Sequence, residues 1–346
     1  MIAPHTLELT MEADKATFHR LHESVKNRKA YNRETRKDYT LVKDGITVWY
    51  HKSEFKKKIK LIINPSKVLG FDDLTKLWNP KRKNIAKFLT KLNSRIDSYF
   101  DAEYTIEDFT LTRIDFTKNI KLDDPNTVVA YIKALKNIRK VKGFSPKDCT
   151  DIENYDKDAS FDLDGNSNGV EFTAYDKAAA IRNNIENKMQ SSEYRLREIK
   201  ERLAKAEGLL RLETKLTTQK AIRCYTNKNG TVKRIIDLCS KSEVIFLDTF
   251  IRVVPFGDMY KKEDTEKIVK DSVSNKNMRQ KMLRLIGLIP QKKSLLLAQK
   301  AMADRNIESI MKMFAKLNVS PVTLSKRHKV KHLKNLYAFM GCEFTI

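Results

Sequence analysis

The stretch Gly169-Val170-Glu171-Phe172-Thr173-Ala174-Tyr175-Asp176-Lys177 decides how the chain reads. Val170, Phe172 and Ala174 alternate with Glu171, Thr173, Tyr175 and Lys177, which is the period of a half-buried strand. One face therefore carries a carboxylate, a hydroxyl, a phenol and an ammonium. Two further segments alternate in the same way. Thr112-Arg113-Ile114-Asp115-Phe116-Thr117 puts Arg113, Asp115 and Thr117 on one side, and Leu210-Arg211-Leu212-Glu213-Thr214-Lys215-Leu216 does so with Arg211, Glu213 and Lys215. Three strands thus present acids and bases from one side, and the phenol stands on one of them.

Working outward, residues 164–169 form a Gly- and Asn-rich turn, and residues 178–207 read as one long charged helix stopped by Gly208. Asp123-Asp124-Pro125 opens a helix to about residue 139, after a strand over about 104–120. Weakly alternating segments lie near 150–155 and 159–163. The order matches a split β-α-β unit, so the expected fold is α+β: a ferredoxin-like or palm-type antiparallel sheet with helices on one face. In that topology the Asp115 and Tyr175 strands are central neighbours and the Glu213 strand adds at an edge. Residues 101–225 would form this domain. Residues 1–100, packed with it, read as strands at 5–11, 40–42, 46–50 and 59–63, a hairpin turn at Lys43-Asp44-Gly45, a short helix or loop at 18–22, a basic loop at 28–37 and a helix at 85–100. Residues 226–346 read as a mainly helical, basic C-terminal domain, with helices near 266–273, 276–286, 292–303, 307–317 and 331–339, and an apolar run at 244–253 that fits helix or strand.

The chain has 346 residues, 41% hydrophobic and 32% charged, which suits a soluble globular protein and argues against disorder. Its 68 Lys and Arg against 44 Asp and Glu leave a formal charge of +24 and point to a polyanion, nucleic acid first. No apolar run approaches the roughly 20 residues of a membrane span. The N-terminus lacks a basic-then-apolar signal pattern, so a cytoplasmic location is expected. Cys149, Cys224, Cys239 and Cys342 are scattered, against both a disulfide framework and a zinc ribbon.

Asp115 and Glu213 are candidate ligands for Mg²⁺ or Mn²⁺, which prefer oxygen donors and often take one or two carboxylates plus substrate phosphate. The alternative is that each pairs with the arginine two residues earlier, Arg113 or Arg211. Glu171, Asp158 and Asp162 are the choices for a third carboxylate. Tyr175 is a candidate nucleophile, with Lys177 to ease its ionisation or bind phosphate, and the alternative is a half-buried strand tyrosine. His19 with His22, and His328 with His332, have helical spacing but are read as non-metal residues. Lys56-Lys57-Lys58, Lys81-Arg82-Lys83 and the run from Lys326 and Arg327 to Lys334 are candidate phosphate contacts or solvated surface.

Taken together the motifs resemble the gene II replication initiators of filamentous phages and related phage or plasmid replication proteins. The likeness runs from about residue 58 to about residue 223. Residues Ile59 to Gly70 resemble the family's strand ending in a Pro-containing turn. Leu111-Thr112-Arg113-Ile114-Asp115 is similar to its S-R-I-D strand, Thr173 to Lys177 to its A-Y-x-K strand, and Leu209 to Glu213 to its L-x-R-x-E strand. The resemblance implies a rolling-circle endonuclease that nicks one strand of a replicon origin, keeps the 5′ end on a tyrosine and leaves a 3′-OH. That tyrosine falls on Tyr175. Duplex origin DNA, single-stranded DNA, and a host helicase and polymerase are the partners it implies, in a bacterial cytoplasm. Many such initiators hold their metal with a His-hydrophobe-His pair, which this chain lacks, so carboxylates must serve. Arg113, Arg211, Lys81, Arg82, Lys83, Lys326 and Arg327 are the expected DNA contacts. A non-catalytic DNA- or RNA-binding protein of the same fold and a basic scaffold whose acids pair with arginines are the competing readings; a 5′-phosphotyrosine adduct separates the first reading from both.

Overall fold

Period-two alternation generates one wide antiparallel sheet. The computed structural model describes residues 1–26, 31–32, 39–52, 57–71, 73, 75–147, 159–165, 168–186, 193–327 and 329–341. The strands are β1 (Ile2–Ala13), β2 (Tyr31–Asn32), β3 (Tyr39–Lys43), β4 (Ile46–Lys52), β5 (Lys57–Ile63), β6 (Thr110–Lys121), β7 (Ser145–Pro146), β8 (Ser160–Asp164), β9 (Val170–Asp176) and β10 (Leu209–Leu216). They lie in the order β2-β3-β4-β5-β1-β6-β10-β9-β8-β7. Between them run helices α1 (Lys15–Lys26), α2 (Pro65–Val68), α3 (Arg82–Tyr99), α4 (Pro125–Lys136), α5 (Lys177–Glu186) and α6 (Glu193–Ala206). After β10 come α7 (Gln219–Tyr225), α8 (Thr231–Ser240), α9 (Ser242–Val253), α10 (Lys262–Ser272), α11 (Lys276–Lys292), α12 (Leu295–Met302) and α13 (Ile307–Lys316). A two-stranded ladder of β11 (Met259–Tyr260) and β12 (His332–Leu333) ties the C-terminal segment back.

The α+β class, the antiparallel sheet and the helical C-terminal half are as the sequence predicts. The strand order is not. β10, carrying Glu213, sits between β6 and β9 and not at an edge, so the Asp115 and Tyr175 strands are not neighbours. Gly208 helps put it there: its backbone is left-handed (φ +69), and a Cβ would meet Leu122 O at 2.5 Å. Leu122 N donates to Gly208 O, locking the start of β10 against the end of β6.

The long helix expected over 178–207 is a helical hairpin. Ala178 and Ile181 of α5 pack against Leu203 and Ala206 of α6, whereas a single helix would hold Ala178 and Ala206 about 42 Å apart. The Asp115 strand starts at Thr110, after a 3₁₀ turn at Ile106–Asp108, and the helix expected over 331–339 is β12 followed by a 3₁₀ turn at Leu336–Phe339. The apolar run at 244–253 is helical, within α9. The segment at 150–155 and most of the basic loop at 28–37 lie outside the described residues.

The apolar sheet face is built from residues such as Leu7, Leu9, Leu61, Ile114, Phe116, Leu212 and Phe172, all at 0% exposure. Helices α1, α4, α8 and α9 cover it. Phe250 of α9 meets Phe172 of β9 with ring centroids 6.4 Å apart, and truncating such a buried ring costs about 3–5 kcal/mol. One apolar cluster runs from Ile2 to Met340, so the strands of residues 1–100 share the sheet and core of the later ones, and α8 and α9 form a layer of that same core. The opposite sheet face is polar. Among the described residues no helix is long and apolar enough to cross a membrane.

Candidate active site

Hydrogen-bonded neighbours in a sheet place directly opposed residues on one face, about 5 Å apart at Cβ. The register of β6, β10 and β9 therefore stacks three polar rows: Asn119–Arg211–Tyr175, Thr117–Glu213–Thr173 and Asp115–Lys215–Glu171. β8 lengthens them with Ser160, Asp162 and Asp164. On the other side the β1–β6 pairing skips His5, between Pro4 and Thr6, and such an irregularity re-aims a side chain.

At the centre, Tyr175 Oη donates to Glu213 Oε1 at 2.8 Å. Arg211 is fully buried. Its Nε donates to Asn119 Oδ1 at 2.8 Å and its Nη1 to His5 Nε2 at 3.0 Å. Asn119 in turn donates from Nδ2 to Thr75 O at 2.6 Å. Burial, then the charge of Arg211, drives the His5 pKa down to about 3, so the ring is neutral and accepts the guanidinium hydrogen. Burial and the Glu213 charge push the Tyr175 phenol well above its ordinary value, with Arg211 pulling the other way. Burial opposes ionisation of Glu213 too, but the positive charges around it and the Tyr175 hydroxyl outweigh that and hold its carboxyl below the usual range. Lys215 Nζ stands 3.8 Å from Glu213 Oε2.

Lys177 is the first residue of α5 and not the last of the strand. Asp176 ends β9 and turns its Oδ1 to the amides of Ala178 (2.8 Å) and Ala179 (3.2 Å), a helix cap. Lys177 nonetheless stays by the phenol, with Nζ 6.0 Å from the Tyr175 ring centroid. Burial, then Arg211, lowers its pKa to about 7. Asp115 is 2% exposed and makes the arginine pairing weighed from sequence: Arg113 Nε and Nη2 donate to its two oxygens at 2.8 and 2.7 Å. Burial still wins over Arg113 and lifts the Asp115 pKa to about 6. Glu213 accepts from the phenol, and the Arg211 charge also acts on it.

A divalent ion such as Mg²⁺ or Mn²⁺ asks for oxygen donors. Asp115 and Glu213 supply carboxylates on adjoining strands. Thr117 Oγ1, next to the first and opposite the second, is buried without a hydrogen-bond partner among the described residues. This donor set fits an ion held by two carboxylates and completed by phosphate and water. Among the described residues no three His, Cys, Asp or Glu side chains converge to hold one unaided. Of the other acids weighed, Glu171 takes Lys147 Nζ at 2.8 Å, Asp162 accepts from Ser160 Oγ at 2.6 Å, and Asp158 lies outside the described residues.

The remaining predicted contacts sit apart from this cluster. Lys81, Arg82 and Lys83 are exposed at the start of α3 or nearly so. Lys326 pairs with Glu263 at 2.6 Å and Arg327 is exposed beside it. His22 is a core histidine stacked on Phe18, and His332 stacks on Tyr260, while His328 lies outside the described residues. Sequence reasoning misses Asn119 and His5. Asn119 continues the 113–115–117 alternation, which is the signal that finds it. His5 depends on a strand irregularity that its neighbours do not signal.

Among families of known proteins, the phage family Phage_CRI, described as the N-terminal part of a replication-associated protein, the gene II protein, matches residues 6–233. No curated protein matches the chain.

Proposed function

The chain belongs to the gene II-type family of phage replication-associated proteins, and from that premise we propose that it initiates rolling-circle replication by nicking one strand of a replicon origin through Tyr175. The observation that carries the reading is the 2.8 Å hydrogen bond from Tyr175 Oη to Glu213 Oε1 on the polar sheet face. The phenol oxygen attacks the scissile phosphorus. A P–O bond to Tyr175 forms as the P–O3′ bond breaks, and the 5′ phosphate stays on the protein. The phenol proton passes to Glu213, and the departing 3′ oxygen takes one from the Lys177 ammonium. Bond energy is conserved in the phosphotyrosine, so a later 3′-OH can reverse the step.

Magnitudes show what else the site must supply. An ordinary phenol and carboxylate differ by about 6 pKa units, so proton transfer between them costs about 8 kcal/mol. Here burial raises the phenol while the positive charges around Glu213 lower its carboxyl, so the gap is wider still. Arg211, fixed by His5 and Asn119, is already placed to favour the phenolate. Asp115 and Glu213 are the residues that would hold a divalent ion, which when bound would supply further positive charge and polarise the phosphate. Arg113 and the basic residues Lys81, Arg82, Lys83, Lys326 and Arg327 then contact DNA, while Arg211, expected from the sequence to do so, is fully buried beside the phenol and acts there instead. Duplex origin and single-stranded DNA are the partners, with host helicase and polymerase acting on the exposed 3′ end in the bacterial cytoplasm.

The test is incubation with supercoiled replicon DNA and Mg²⁺ or Mn²⁺. Open circles carrying protein on the 5′ end are the expected product. Nicked circles without attached protein overturn the covalent mechanism, and intact circles under all conditions overturn the nicking itself.

A further inference from the structure

The family match ends at residue 233, so the helices beyond it have no assigned task. One of them differs in surface chemistry from an ordinary solvated helix. α11 carries Lys276, Arg279, Lys281, Arg284 and Lys292 and no acid. Its buried side is Met282, Leu285, Ile286 and Ile289. On the opposite side Asn277, Gln280, Arg284 and Gln291 are exposed. Their spacing of three, four and seven keeps them within about 60° of one another around the axis. A solvated helix face usually carries Glu and Lys pairs. This face carries two amides and a guanidinium within two turns, the groups that read adenine and guanine edges bidentately.

Gly287 lies along the same face. A Cβ there would meet nothing within 4 Å, so the glycine is not required by packing inside the chain. In mid-helix it weakens the helix relative to alanine. A glycine there leaves room for an outside group to come close to the backbone.

The helix is also held as a reading element must be. Asn275 caps it, its Oδ1 accepting from Met278 N at 3.0 Å. Arg279 Nη1 donates to Lys270 O and Val273 O, both at 3.4 Å, fixing the short turn from α10. Lys281 pairs with Asp304 at 2.8 Å beyond α12. Two helices joined by a three-residue turn, the second basic with one face exposed, is a connection that helix-turn-helix DNA readers also use.

We infer that the exposed face of α11 reads duplex DNA in the major groove, giving the protein sequence specificity separate from the Tyr175 face. The groove, about 12 Å wide, admits one helix. The ten-residue advance from Asn277 to Gly287 spans about 15 Å, which covers about four base pairs. The inference rests on the proposal that the partner is DNA, but it needs no nicking.

The experiment is selection from a pool of random-sequence duplexes by the full chain, in chelator so that no cleavage is involved. A short motif of about four base pairs should be enriched. Gln280→Ala and Arg284→Ala should each cut discrimination between that motif and scrambled duplex at least about tenfold. Binding to scrambled duplex should change less than about threefold with Gln280→Ala, which removes no charge. Methylation of guanine N7 in the motif should interfere with binding of the parent. Enrichment of no motif, undiminished discrimination in both variants, or preference for single-stranded DNA or RNA over every duplex overturns the inference. Nicking of replicon DNA scored in parallel reports on Tyr175 independently, so either reading can fail alone.

Discussion

Asp115→Asn separates a buried acid from a surface ion pair. In the folded protein the Asp115 carboxyl titrates near 6, against 3.8 for the ordinary group. Between those values the folded protein holds a proton that the unfolded chain has lost. Stability therefore falls as pH rises from about 4 to about 6, and the part lost is about 2 units, or ~3 kcal/mol. Asparagine takes no proton, so the variant lacks that fall. The difference in unfolding free energy, variant minus parent, should climb by ~3 kcal/mol between about pH 4 and pH 7. The loss of the two Arg113 hydrogen bonds is a nearly constant offset above about pH 6, about 1 kcal/mol, because the Arg113 side chain is 33% exposed and can turn to water. Urea unfolding of both proteins in chelator, followed by circular dichroism, reads the difference directly. A difference that stays flat refutes dominance of burial. A difference that falls with pH means that Arg113 wins and that Asp115 is an ordinary stabilising ion pair.

The other expectations concern the reaction. Tyr175→Phe should abolish the covalent adduct and cost about 1.5–3 kcal/mol, since the lost hydrogen bond ends on a charged carboxylate; peptide mapping of the parent adduct to any other residue would falsify the nucleophile. Glu213→Gln should slow nicking by roughly 10²–10⁴, the usual worth of a positioned base, while lowering the Tyr175 phenol pKa in an ultraviolet titration by removing an adjacent charge. A phenol that titrates unchanged in that variant is not bonded to Glu213. Lys177, near 7, loses its proton as pH rises, so nicking should decline on the alkaline side of about pH 7. Lys177→Arg keeps its charge and should remove that decline; an unchanged pH profile excludes Lys177 as its source.

Much of this is legible in residue order. Alternation at Val170–Asp176 and Leu209–Leu216 depends only on neighbouring residues, and both strands stand where it puts them. Strand order depends on pairing between segments far apart in sequence. Alternation is blind to it, which is why an edge position for β10 is as consistent with the pattern as the central one. The consequence is chemical: with β10 central, Glu213 meets Tyr175 across one ladder step and not across a wide gap. The boundary at Lys177 turns on Asp176, whose capping side chain fits the strand pattern equally well. The hairpin of α5 and α6 is hidden because both arms have helical composition. His5 is unreadable because burial and a pairing irregularity, both tertiary, make it the neutral partner of Arg211.

The chain connecting β9 to β10 has a different kind of freedom. These strands are ladder neighbours over seven residue pairs, so the sheet alone holds the phenol against its acceptor. The buried residues of the α5–α6 hairpin between them form a small cluster apart from the main core. Its length is therefore nearly unconstrained, since doubling a flexible connection costs only about 0.6 kcal/mol. Growth or loss of sequence there changes what projects beside the reacting oxygen and leaves the sheet untouched. Related replicons have in this hairpin a place to diversify, and an engineer has a place to insert a foreign domain, within a few helical turns of Tyr175.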